Sequence, residues 1–169
     1  MIVVTAGGVT VGICLLIWQL FEWWPGRKAL LKVPVTHLLR LLPFLAASAV
    51  GTLGVLTTMG LIGWGFDAAL WASNWVGDAA GWLGVGARVG VAASGTTIVV
   101  TGAGSLVVLI LVVCTAAGVK FSPAAVSKMV KRGVLCGTCL GTSSFVAGFA
   151  AVPLATAVNQ VGAIVYGGA

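Results

Sequence analysis

Residues 106–114 read LVVLILVVC, the most apolar run in the chain, inside a stretch from about Gly95 to Val119 that carries no charge. The hydrocarbon core of a bilayer is about 30 Å thick and takes roughly 20 helical residues to cross. A stretch of this length and character is a membrane span. Helix is its default form, because inside lipid every backbone N–H and C=O must be satisfied within the segment itself.

Working outward from this run, three more stretches reach the same length. The first runs from about Ile2 to Trp24, with one charge, Glu22, near its end. Another runs from about Leu41 to Trp64, LLPFLAASAVGTLGVLTTMGLIGW. The last, from about Gly133 to Val158, is rich in Gly, Ala, Ser and Thr. Long apolar blocks of this kind are unlike the short alternating segments of a β-barrel. The expected fold is an all-α integral membrane protein, a four-helix transmembrane bundle forming a single membrane domain over residues 1–169.

Composition points the same way. Of 169 residues 60% are hydrophobic and 7% charged, and the mean hydropathy is +1.16. A soluble domain carries roughly 25% charged residues, so lipid is the solvent for most of this surface. Met1 is followed at once by apolar and small residues, with no basic region before them. The first segment is therefore expected to be a retained span, not a cleaved signal.

The net charge of +6 does not describe a nucleic-acid-binding face, because the cations lie in two short clusters between apolar stretches. Arg27, Lys28, Lys32 and Arg40 separate the first two spans, and Lys120, Lys128, Lys131 and Arg132 separate the last two. Asp67, Asp78 and Arg88 lie between spans two and three. By the positive-inside rule both basic loops are cytoplasmic, which puts both termini and the middle segment outside a plasma (inner) membrane. Ser122-Pro123 is expected to start a helix running through Lys128, Lys131 and Arg132 into the fourth span, with Pro153 bending or ending it.

The tryptophans mark the expected interfaces. Trp18, Trp23 and Trp24 cluster at the cytoplasmic end of the first span, and Trp64 stands at the outer end of the second. Trp71, Trp75 and Trp82 share one side of a helix beside Asp67, Asn74 and Asp78. Residues 66–83 are read as an outer interfacial helix, followed by a glycine-rich loop.

Catalytic material is scarce. His37 has no acid or cysteine near it, which makes it a polar residue of an interfacial loop before it is a pH sensor. Cys136-Gly-Thr-Cys139 has a redox or metal spacing but lacks the second cysteine pair or βαβ context that those uses need. The two cysteines are read as small buried groups one helical turn apart, with lipidation as the other use, and no cofactor or metal is expected. Gly133, Gly137, Gly141, Ser144, Gly148 and Ala151 lie along one helix face. In lipid such a stripe allows close backbone approach, for packing within the chain, for self-association or for lining a pore. The chain also repeats the order span, basic loop, span, which is read as shared topology with no common residue motif.

The functional expectation is a non-enzymatic subunit of an oligomeric membrane assembly of conduit, secretion or transfer type. Its partners would be the lipid bilayer and either copies of itself or other membrane proteins. A holin-like pore-former and an accessory subunit of a larger complex are the alternatives. The organisation of the second half, an apolar span, a basic loop and a small-residue span with both ends outward, resembles the hairpin of conjugative type IV secretion pilins. That resemblance covers under half the chain, and the N-terminal hairpin departs from it. The charge pattern predicts that cysteines placed at Ser73 and Ser127, in a cysteine-free background, label from opposite sides of the membrane. Labelling of both from one side would refute the orientation.

Overall fold

The computed structural model describes residues 5–24, 39–57, 60–86, 100–141, 143 and 150–166. Among them are six helices and no strand: α1 (Ala6–Trp23), α2 (Leu42–Leu56), α3 (Gly60–Val85), α4 (Gly102–Phe121), α5 (Ala124–Leu140) and α6 (Val152–Tyr166). The protein is all-helical over these residues. Helices α1 and α4 are each long and apolar enough to cross a membrane, and the bent pair α2 and α3 would add a third span if it crosses as one.

Two of the expected spans are not single helices. The stretch 41–64 ends as a helix at Leu56, and α3 then starts at Gly60 with its axis bent by 107° from that of α2. Gly60 has φ +86°, in the left-handed region that glycine enters without strain. Trp64 therefore belongs to α3, which also takes in the whole expected interfacial helix 66–83. The stretch 133–158 is likewise divided between α5 and α6. Ala150 and Ala151 are π-helical and lead directly into α6, and Pro153 follows two residues after them. The third span starts later than expected, at Gly102, and Pro123 takes the N-cap position of α5 while Ser122 closes α4. Hydropathy hides these breaks, since small residues keep a stretch apolar while holding a helix weakly.

The core of the molecule is the parallel pair α2 and α5, which pack more extensively than any other two helices. Their axes approach until backbone meets backbone. A methyl group at Gly133 would strike the Phe44 carbonyl and Ala47, one at Gly137 would strike the Ser48 carbonyl, and one at Gly51 the Val134 carbonyl. The Thr52 hydroxyl lies 3.0 Å from the Ser48 carbonyl and 3.2 Å from that of Gly137, which ties the helices where they are closest. Helix α1 runs antiparallel to α5, with Gly12 against Cys139 and Leu140. Helix α3 crosses the ends of three helices in turn, at Gly54 of α2 through Phe66, at Cys139 of α5 through Ser73 and at Gly7 of α1 through Gly77.

The halves α1–α2–α3 and α4–α5–α6 repeat one contact plan at residue level. Thr5 and Thr101 each cap a helix by accepting from the N–H three residues on, at 3.2 Å in both cases. Each also donates its own backbone N–H to an asparagine on the third helix of its half: Thr5 to Asn74 at 3.2 Å and Thr101 to Asn159 at 3.0 Å. Three residues past each asparagine a glycine meets the start of the first helix, Gly77 on Gly7 and Gly162 on Ala103 and Gly104. The shared motif is Asn-x-Val-Gly, at 74–77 and 159–162. In the middle, the shift that carries Gly51 to Gly137 also carries Ser48 to Val134, so the contacts Gly51–Val134 and Gly137–Ser48 are counterparts. Gly12 against Cys139 corresponds to Val108, which clusters with Leu53 and Val158. The sequence reading found shared topology alone. The motif escapes it because each part is only a few residues long and the basic segments between the parts differ in length.

Replacing Gly137 with valine forces a side chain onto the Ser48 carbonyl. Overpacking of this kind costs about 1–3 kcal/mol, so thermal unfolding in detergent should shift down clearly. Gly118→Ala, on an open face of α4 with nothing near the new methyl, should leave the melting temperature unchanged.

Candidate functional site

The polar chemistry of the chain gathers where the C-terminal end of α1 meets the N-terminal half of α5 and the start of α2. Trp18 and Glu22 lie four residues apart on α1, with Gln19 beside them, so all three reach the same side of the helix. Lys128 and Arg132 are likewise four apart on α5. Because the two helices are antiparallel, these turns face each other. The Arg132 guanidinium donates to the Glu22 carboxylate, and it also stands 5.9 Å from the centroid of the Trp18 ring, a cation–π arrangement. From sequence, Glu22 has Arg27 and Lys28 as neighbours. The partner the fold supplies comes from the other half of the chain.

Beside this pair is a cavity of about 200 Å³, lined by Gln19, Glu22, Trp23, Arg40, Lys128 and Arg132, with Ala125 and Met129. Cations of both basic segments thus meet at one end of the molecule. Gln19 is the residue that sequence reasoning missed. It is 2% exposed, and its Oε1 has no hydrogen-bond partner. The available signal was a lone amide one turn from a lone carboxylate in an otherwise apolar helix.

The other expected site residues are distributed as follows. Gly133, Gly137 and Gly141 all face α2 of the same chain, against Phe44, Ser48 and Thr52, and Ala151 is fully buried. These glycines thus take part in packing within the chain; Ser144 and Gly148 lie outside the described residues. Trp24, Trp64, Trp71, Trp75 and Trp82 are exposed, as is Trp18, while Trp23 is half-buried. On α3 the tryptophans face outward, and Asn74 is turned into the protein to accept from Thr5. Lys120 and Lys131 are exposed. Arg27, Lys28, Lys32 and His37 lie outside the described residues.

Cys136 and Cys139 are buried. The Cys136 thiol donates to the Gly12 carbonyl at 3.4 Å, and the Cys139 thiol lies within reach of the Ser73 hydroxyl. Both act as small packing groups under α1 and α3. Among the described residues no three of His, Cys, Asp and Glu come together as a metal site. Comparison with protein-family models, curated proteins and solved structures finds no match for this chain.

Exchanging the charges tests the Glu22–Arg132 contact. Glu22→Arg and Arg132→Glu should each lower the melting temperature of the detergent-purified protein, by placing like charges together. The double exchange should recover most of the loss. No recovery would mean that the two side chains do not interact.

Proposed function

We propose that this chain is a non-enzymatic, multipass subunit of an oligomeric membrane assembly of the conduit, secretion or transfer type. The observation that carries the reading is the pair of breaks at corresponding places in two like halves, between α2 and α3 and between α5 and α6. Parallel repeats related about the membrane normal, and apolar segments interrupted at matching positions, are the organisation on which membrane translocation pathways are built.

The axis between the halves is filled. Ala47 meets Gly133 there, and the backbones on either side of them are in contact. A single chain on this plan has no room for a channel at its centre. A conduit would have to be lined by outward faces of several copies, and that favours an oligomer. In this reading the basic end lies in the cytoplasm of an inner membrane and both termini lie outside. Helices α1, α2, α4 and α5 make the four passes, and α6, the counterpart of α3, lies with it at the outer end, against the start of α4. Helix α3 lies in the outer interface, with Leu61, 87% exposed, and the four tryptophans directed to lipid.

The mass of the particle purified in mild detergent tests the assembly. A particle holding several copies of the 17.0 kDa chain is the expected result. A monomer carrying no other protein would refute it, and a particle containing a second protein would turn the reading to an accessory subunit.

A further inference from the structure

We propose that the cavity at the basic end is a binding site for an anionic phospholipid whose headgroup carries a free hydroxyl, as phosphatidylglycerol does. Arg40, Lys128 and Arg132 converge on the cavity, and a single carboxylate, Glu22, offsets one of them. Two positive charges are left over at a site closed on several sides by protein. Phosphate oxygens are the natural acceptors for these donors, since Arg and Lys bind phosphate through charge-assisted hydrogen bonds. Basic pockets between helices at the cytoplasmic face are suited to phospholipid headgroups.

Gln19 supplies the second, independent observation. The residue lines the cavity, and its Oε1 is buried as an acceptor without a donor. A buried acceptor left unpaired is costly, and proteins rarely keep one without a use. A turn of the side chain about its own torsions, bringing Oε1 to the cavity surface, would let a headgroup hydroxyl beside the phosphate donate to it. Phosphatidylethanol has the same charge but no such hydroxyl, and phosphatidylcholine has neither the net charge nor a donor.

The surroundings fit a lipid better than a free anion. A recess of about 450 Å³ under Trp18 and Phe21 shares Glu22, Lys128 and Arg132 with the cavity. Through Phe21 it adjoins a groove of about 320 Å³ along Ile17, Leu20 and Trp24. A headgroup in the polar part would leave an acyl chain lying along this apolar face of α1.

The repeat gives an internal control. Under the correspondence that pairs Thr5 with Thr101 and Gly51 with Gly137, the counterparts of Gln19, Glu22 and Arg132 are Thr115, Gly118 and Ala46. The scaffold therefore forms the same helix contacts in its other half without an amide or a charge at these places. The polar set is an addition to the fold and not a requirement of it.

The test is native mass spectrometry and thermal melting of the full chain in detergent, titrated with phosphatidylglycerol, phosphatidylethanol, phosphatidylcholine or inorganic phosphate. Phosphatidylglycerol should bind most tightly and raise the melting temperature. Lys128→Ala and Arg40→Ala, both at exposed positions, should weaken it about tenfold each, the loss of one charge-assisted contact. Gln19→Leu should abolish the preference for phosphatidylglycerol over phosphatidylethanol while the lipid-free protein still melts cooperatively. Equal binding of phosphatidylcholine would overturn the proposal. Protection by inorganic phosphate equal to that by the lipid would also overturn it, in favour of a free-anion site. Neither result depends on how many copies the particle contains, so failure here is separable from failure of the assembly reading.

Discussion

Two helices meet backbone to backbone at the centre of this molecule, and the rest is arranged around that contact. In lipid there is no hydrophobic gain from joining one apolar helix to another, so association depends on close packing and on hydrogen bonds between helices. Dispersion falls off steeply with separation, and a gap of even 1 Å forfeits much of it. Glycine at 51, 133 and 137 removes the side chains that would hold α2 and α5 apart, and Thr52 adds the hydrogen bond. Once these helices are in place, each presents its outer side to a long span from the opposite half, α1 on α5 and α4 on α2. The third helix of each half then closes over the start of its own span through an asparagine and a glycine.

A scaffold built twice from one plan makes its differences informative. Both halves need the capped threonine, the asparagine that receives its N–H and the glycine crossing, and both have them. Only one side carries Gln19, Glu22 and Arg132. A guanidinium at the edge of the apolar zone is tolerated when its charge is met, and here the Glu22 carboxylate and the Trp18 ring both meet it. The same residues leave Lys128 and Arg40 free to face the neighbouring cavity. The chemical character of the protein is thus concentrated at one end of one half, on a frame whose other half shows that the frame itself does not demand it.

The glycine stripe on α5 shows how much a pattern leaves open. Small residues every three or four positions do establish that some helix backbone approaches this face. Whether that backbone belongs to the same chain or to another depends on which helices the loops allow to meet, and periodicity holds no record of that. The same limit applies to Glu22, whose nearest cations in sequence are Arg27 and Lys28 but whose partner is Arg132.

The residues alone determined the solvent of this protein and the grammar of its surface. Composition required lipid, the apolar blocks placed α1 and α4, and the clustered cations set one end apart from the other. These follow because transfer free energy and charge are sums over residues, readable without knowing where the chain goes. Only the tertiary structure decided that the second and fourth blocks are each divided, that the two halves share a residue-level plan, and that Gln19 is buried beside three cations. Those outcomes depend on direction and contact between residues far apart in the chain: Glu22 with Arg132, Gly51 with Val134, Thr101 with Asn159. The chain changes direction between Leu56 and Gly60 without altering the hydropathy of the stretch that contains them, and so only the folded chain reveals the turn.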